Sequence, residues 1–365
     1  MSSVNESALE EAVKCYIDPY LNKDLYALKA VKKLSCEAGK VVLKIEMPYA
    51  CDSITGGIKQ ILITNLENVD GVESVDVQII TKVAVHKTQN NIKTLSNVKN
   101  IIAVASGKGG VGKSTSSVNL ALALAKEGAS VGLLDADIYG PSVGMMLGFP
   151  DGTRPQTIEN KFFVPLEKHG VQVMSMAFLV TDDTPMIWRG PMVSGALQQL
   201  LTQSQWNDLD YLIIDLPPGT GDIQLTLSQK IPVSGSIVVT TPQDIALLDC
   251  KKGIEMFRKV NIPVFGVIEN MSVHICSECG HHESLFGEGG GDRIAKQFDT
   301  DVLGEMPLHK TIREHMDAGT PTVVAEPDSE VALLYQDIAR KVGAKLSQEA
   351  KDERHAFPNI IVSSD

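Results

Sequence analysis

The sequence predicts an α/β protein whose mostly parallel, doubly wound sheet is preceded by a smaller α/β domain. From Ile101 onward short apolar strands alternate with helical stretches, the pattern of a parallel sheet covered on both faces. Before them lies HKTQNNIKTLSNVKN, residues 86–100, polar and without apolar periodicity, as a linker would be. The chain of 365 residues also exceeds the roughly 250–300 at which a single core usually stops growing. The expected organisation is a small α/β domain over 1–85, a linker over 86–100, a main domain over 101–347 and a flexible tail over 348–365.

In the small domain Val41, Leu43, Ile45 and Met47 alternate as a strand does, and Ile58, Ile61, Leu62, Leu66 and Val69 keep helical spacing. Between them MPYACDSITGG marks a loop entering the helix, with Ser53 or Thr55 as N-cap. A second strand follows at Val75, Val77 and Ile79. In the main domain the strand candidates are IIAVAS, SVGLLD, VQVMSM, YLIID, SIVVTT and VFGVIEN. Among the helices, Ala246, Leu247, Cys250, Ile254 and Phe257 share one face, which makes Cys250 a core residue. Met145, Met146, Met174 and Met176 read as core or loop packing. The closing KDERHAFPNIIVSSD reads as frayed.

Composition narrows the function. Apolar residues at 43% and charged residues at 21% describe a globular chain, not a disordered or fibrous one. No apolar run reaches the roughly 18 residues that cross a bilayer, and the polar, acidic start is unlike a signal peptide, so a cytoplasmic protein is expected. A net charge of −12 gives no basis for nonspecific binding to nucleic acid or anionic membrane. Six cysteines are too few for a disulfide scaffold, and the close pair Cys276 and Cys279 points to metal or redox chemistry.

Directly after IIAVAS comes GKGGVGKST, in which Gly107, Gly112, Lys113 and Ser114 fit G-x-x-x-x-G-K-[ST], followed by a helix-forming run. Residues lacking Cβ let backbone N–H groups turn inward around phosphate oxygens, and the helix N-terminus adds its positive end. Gly107, Lys108, Gly109, Gly110, Val111, Gly112, Lys113, Ser114 and Thr115 are therefore expected to bind ATP. Lys113 projects into a solvated phosphate site and Ser114 ligates Mg²⁺ in this reading. Two apolar strands end in carboxylates on the same sheet edge: Asp135 and Asp137 after SVGLL, and Asp215 after YLII. Asp215, followed by LPPGTGD, reads as the Walker B carboxylate reaching Mg²⁺ through water, beside a segment able to respond to the γ-phosphate.

Lys108 is not demanded by the ordinary phosphate loop, and on the residues alone it also fits a solvated surface lysine. The string KGGVGKST resembles the deviant Walker A motif of the ParA/MinD superfamily of P-loop NTPases. That resemblance implies a nucleotide-sandwich dimer in which Lys108 acts on the partner's phosphates. It also implies that Asp137, in DADIYGPS, orients the attacking water.

A C-x-x-C followed by Gly280 is a turn that aims two thiolates at one ion. Two thiolates do not fill a tetrahedral site: His281 and His282 complete it within the chain, or a second copy supplies another pair. Redox exchange and idle thiols are the other readings. DADIYGPS, IWRGPM at 187–192, DLPPGTGD, IENMS and CSECG together resemble the Mrp/ApbC iron-sulfur carrier branch of that superfamily. VDGVESVDV and MPYACDS resemble the iron-sulfur assembly domain often fused in front. The resemblance implies a homodimer that hydrolyses ATP, holds a [4Fe-4S] cluster between two Cys276/Cys279 pairs and passes it to apoproteins in concert with assembly machinery. It implies that Asn270 reads the adenine edge; on its own the residue equally caps a strand end. For Trp188 and Arg189, inside the motif, it supplies no physical role. Two rival functions share this ATPase core: a zinc-clasped targeting ATPase and a positioning ATPase of the MinD/ParA kind. The first would need a long apolar helical insert, which is not found, though the cysteine spacing alone does not choose the metal; the second would need a basic patch or basic amphipathic tail, which KDERHAFPNIIVSSD does not provide.

Overall fold

The computed structural model describes residues 4–88, 95, 97–138, 140–159, 161–179, 190–276 and 278–349. The expected tail from residue 350, Trp188, Arg189 and residues 89–94 and 96 of the expected linker lie outside the described residues.

The small domain opens with α1 (Glu6–Lys14) and two short paired strands, β1 (Ile17–Asp18) and β2 (Lys23–Asp24). A three-stranded sheet follows in the order β3 (Val31–Glu37), β4 (Lys40–Met47), β5 (Ser74–Thr81), antiparallel and then parallel, with α2 (Asp52–Glu67) as the crossover. The alternation on β4 has the predicted result: Val41, Leu43, Ile45 and Met47 are all buried. Each such side chain contributes about 1.5–3 kcal/mol of apolar burial. Two details differ from expectation. Ile61 lies on the outer face of α2, 48% exposed. The N-cap is Cys51, with no side-chain cap bond of its own; instead the Glu127 carboxylate, from the main domain, accepts the Ser53 N–H at 3.1 Å.

The main sheet runs in the order β10, β11, β7, β12, β6, β13, β14, with β15 and β16 both pairing β14. Its members are β6 (Val98–Ser106), β7 (Val131–Asp135), β10 (Leu166–Lys168), β11 (Val171–Ser175), β12 (Leu209–Asp215), β13 (Gly235–Thr240), β14 (Val264–Ile275), β15 (His282–Glu283) and β16 (Val302–Leu308). The strands from β11 through β14, and β16, are parallel; β10 and β15 join antiparallel. A minor hairpin of β8 (Thr157–Ile158) and β9 (Phe162–Phe163) lies outside the sheet. The central strands are continuously apolar because both faces are covered. On one face pack α3 (Lys113–Lys126) and α11 (Glu330–Gln348), with α10 (Thr322–Ala325) and α9 (Lys310–Asp317) beside them; α4 (Val143–Met146) touches α3 and α9. The other face carries α5 (Gly190–Gln203), α6 (Asp222–Lys230), α7 (Asp244–Lys259) and α8 (Gly290–Phe298). Cys250 is buried in that layer.

The first strand begins at Val98, so the last three residues of the stretch read as linker belong to the sheet. Asn100 is the reason the apolar pattern was broken there. It is a buried polar residue whose carboxamide bonds His86 and the Ala84 carbonyl and fixes the path by which the chain enters the main domain. The two domains share a packed boundary. Arg340 of α11 reaches Glu127 at 2.6 Å, Ser53 Oγ at 2.8 Å and Tyr20 Oη at 2.6 Å, and Ala344 completes the small domain's core.

Candidate active site

The phosphate loop connects β6 to α3, at the carboxyl edge of the sheet's central strand. Gly112 is the N-cap of α3 with φ +82°, and a Cβ there would overlap the Asn270 amide nitrogen. Gly107 backs onto the Asp249 backbone of α7, leaving no room for a side chain. The loop's turn therefore requires glycine on two independent grounds. Ser106, Lys108, Gly109, Gly110, Gly112, Lys113, Ser114, Thr115, Asp137 and Pro218 line one cavity of about 200 Å³. Val111 turns the other way, into the core.

Inside the loop Lys113 is 6% exposed, a buried lysine rather than the solvated one expected. Its Nζ lies 2.7 Å from Asp215 Oδ1. Burial of a cation requires such a partner, and β12 supplies it at its last residue. Ser114 Oγ donates to Asp215 Oδ2 at 2.6 Å, and Ser117 Oγ lies 2.6 Å from Oδ1. The spacing of Ser117, one helical turn beyond Ser114, is the signal that reveals it. A hydroxyl beside a buried carboxylate at a phosphate loop suits Mg²⁺, which takes few protein oxygens and completes its shell with water and phosphate.

Asp135 is the direct neighbour of Asp215 across β7 and β12. Burial and then the Asp215 charge push its carboxyl up to about 7, against the opposing Asp137 N–H. It accepts from the N–H groups of Asp137 and Val143 and from Ser175 Oγ. Asp135 thus shapes the turn that carries Asp137, whose own side chain lines the cavity and accepts the Gly140 N–H at 3.3 Å. Asn270, 8% exposed and opposite Met306 of β16, donates to the Val111 carbonyl at 2.9 Å.

The same strand runs on into the cysteine pair. β14 and β15 form a hairpin with His274 opposite Glu283 and Ile275 opposite His282, and Cys276 and Cys279 occupy its turn. The Cys276 N–H donates to the His281 carbonyl, the Gly280 N–H donates to the Cys276 carbonyl, and Gly280 has φ +69°. Backbone N–H groups of Glu278 and Cys279, then the Cys279 side chain, hold the Cys276 thiol below its ordinary value, so the turn favours thiolate. Cys279 is exposed and Cys276 partly so. Among the described residues no three His, Cys, Asp or Glu side chains gather as a metal site; His281 and His282 do not join the cysteines. One chain therefore offers two soft ligands at a surface.

Cys51 differs. Burial first, then the charges of Glu127, Asp18 and Asp52, push its thiol up to about 12. It is a neutral core group at the domain boundary.

A central parallel strand, a glycine loop at a helix N-terminus, and a lysine, a hydroxyl and two strand-end aspartates at one edge define a P-loop nucleoside triphosphatase. The chain belongs to the ParA family described as NUBPL iron-transfer P-loop NTPases, which matches residues 97–343, and residues 6–79 match the iron-sulfur cluster assembly protein family. An iron-sulfur cluster carrier protein of Pseudomonas fragi is 66% identical over 281 residues, 77% of this chain and 98% of that one. That of Escherichia coli K12 is 51% identical over 90% of this chain and 89% of its own. The iron-sulfur cluster transfer protein NUBPL of Mus musculus is 51% identical over 70% of this chain and 80% of its own. Among solved structures, a nucleotide-binding protein of Archaeoglobus fulgidus in complex with ADP superposes with a TM-score of 0.56 at 35% identity, covering 64% of this chain and 90% of that one. The cell division ATPase MinD of Pyrococcus furiosus, at 21% identity and a TM-score of 0.52, covers 67% of this chain and 98% of its own and shares the fold. Among the described residues no helix is long and apolar enough to cross a membrane.

Proposed function

We propose that the chain is an ATP-hydrolysing carrier that binds a [4Fe-4S] cluster across a homodimer and delivers it to apoproteins, working with iron-sulfur assembly machinery. One observation carries the reading: a single strand, β14, touches the phosphate loop through Asn270 and six residues later presents Cys276 in a thiolate-favouring turn. Two cysteines per chain, with no third ligand among the described residues, fit a cluster that needs four thiolates only if two chains share it. The names and extents of the relatives support the same cargo.

In this reading Gly107, Lys108, Gly109, Gly110, Val111, Gly112, Lys113, Ser114 and Thr115 cradle the phosphates of ATP, and Asn270 borders the nucleotide site. Lys113 would leave Asp215 for the β- and γ-phosphates, and Ser114, with Asp215 through water, would hold Mg²⁺, which would offset the phosphate charge. Asp137 orients the attacking water. Lys108 of each protomer reaches the other's phosphates, so hydrolysis depends on the dimer. The small domain, over 1–85, serves as the assembly-like module, and the main domain, over 101–347, as the ATPase.

The test is anaerobic reconstitution with iron and sulfide, read by visible absorbance, iron and sulfide content and sizing. The expected result is close to one four-iron cluster per dimer. Zinc alone, bound tightly, would favour the targeting ATPase; a whole cluster on a monomer would reject the bridged site.

A further inference from the structure

The segment carrying the cysteines runs from a break in β14's pairing at residue 271, through the β14–β15 hairpin, to α8. Both ends are gripped by adjacent residues of β14. Asn270 donates to the Val111 carbonyl of the phosphate loop at 2.9 Å. Glu269, 2% exposed, accepts the Gly291 N–H at the start of α8. Neighbouring residues on a strand point to opposite faces, so the pair holds the loop on one side and α8 on the other. Pairing of β14 with β16 shifts once between Val267 and Ile268, runs in register from Ile268 to Asn270 opposite Met306, and shifts again before His274 opposite Leu308. In the gap Met271 has φ +57°, a left-handed conformation that a non-glycine residue adopts at a cost and keeps only where its surroundings impose it. The return end is closed further by Arg293, which donates to the Glu288 carbonyl at 2.8 Å and meets Asp244 of α7 at 3.3 Å.

We infer that Glu269 and Asn270 act as a clamp, and Met271 as its hinge, through which the state of the phosphate loop sets the position of the Cys276/Cys279 hairpin. Neither Glu269 nor Met271 needs to touch nucleotide or cluster; both are positioning residues. A ligand moves an equilibrium only by differing in affinity for its two states, and a phosphate loop that shifts its Val111 carbonyl changes what Asn270 can bond. That change enters the backbone one residue before the hinge. The inference rests on the carrier reading for its purpose, but its test does not require a cluster.

In the apo full-length chain, alkylation of Cys276 and Cys279 by N-ethylmaleimide is followed site by site by peptide mass spectrometry, with and without Mg²⁺ and a nonhydrolysable ATP analogue. The wild-type rates should differ about fivefold or more between the two states, the usual lower range of coupling between sites. Glu269→Ala should bring the ratio to near one while analogue affinity, read by titration, is kept. Glu269→Gln, which retains an acceptor oxygen for the Gly291 N–H, should restore it. Met271→Gly, free of the left-handed cost and looser, should also lower the ratio, and it stands in if Glu269→Ala does not fold. A wild-type ratio of one, or unchanged ratios in both Glu269→Ala and Met271→Gly, overturns the clamp. A protein that shows the coupling but holds no iron on reconstitution keeps the clamp and loses the carrier reading.

Discussion

Lys113 Nζ sits 2.7 Å from Asp215 Oδ1, with the two side chains 6% and 0% exposed, so the lysine proposed to bind phosphate is also the counter-ion of a buried carboxylate. Lys113→Ala should therefore abolish ATP turnover and also destabilise the main domain, because a buried charge left without its partner costs about 3–5 kcal/mol. The double variant Lys113→Met/Asp215→Asn should recover most of the stability and none of the turnover. Denaturant unfolding and phosphate release measure the two; a single Lys113→Ala variant as stable as wild type would show that the pair is not what keeps Asp215 buried.

Lys108 lines the same cavity as Lys113 and Asp137. Its replacement by alanine should leave nucleotide binding in place and slow hydrolysis by about 10³ to 10⁵, as for other cations that act on the transferring phosphoryl group. Single-turnover hydrolysis tests this, and an undiminished rate makes Lys108 a surface residue.

Cys276→Ser or Cys279→Ser should abolish cluster binding, whereas Cys51→Ser and Cys250→Ser should not. The first pair shares a surface turn; the second two are separately buried thiols, each pushed up to about 12 chiefly by burial. Iron content after reconstitution decides it.

Asp135 binds its proton more tightly folded than unfolded, with a folded value of about 7 against the ordinary 3.8. Between these values the native state holds the extra proton, so this residue lowers stability as pH rises from about 4 to 7 and contributes a constant cost above that. Because Asn replaces one acceptor oxygen with an NH₂ at every pH, Asp135→Asn should be read as a difference: its effect on the stability of the nucleotide-free protein should be more favourable at pH 8 than at pH 4, by on the order of 1–4 kcal/mol. Unfolding curves at the two pH values give the comparison; an equal gain at both would remove the titration argument.

What was legible in the chain depended on how local its cause was. GKGGVGKST carries its turn, its cation and its helix start within nine residues, and the apolar strands declare a sheet covered on both faces. The burial of Lys113 was not legible, because it arises from Asp215, 102 positions away, through strand pairing. The entry to the first main strand was obscured by Asn100, a polar residue inside it. The cap of α2 was placed on Ser53 or Thr55 from local rules, while the group that serves it is Glu127, 74 residues on. β16 interrupts its apolar residues with glycine and proline in VLGEMPL and so carries no clear strand pattern of its own; it is the parallel neighbour against which β14 shifts register. The role of Glu269 has no sequence signature, since its partner is a backbone N–H brought back by α8.

The ordering of the chain in time gives the Glu127–Arg340 pair a further meaning. Ser53 is made early, yet Arg340, which bonds it, follows 287 residues later. During synthesis the small domain emerges first with the start of α2 incomplete, gains Glu127 once α3 has been made, and meets Arg340 only when α11 leaves the ribosome. Arg340 thus closes a boundary between parts of the chain made 287 residues apart, and a nascent chain that has not yet reached α11 lacks that contact at the start of α2.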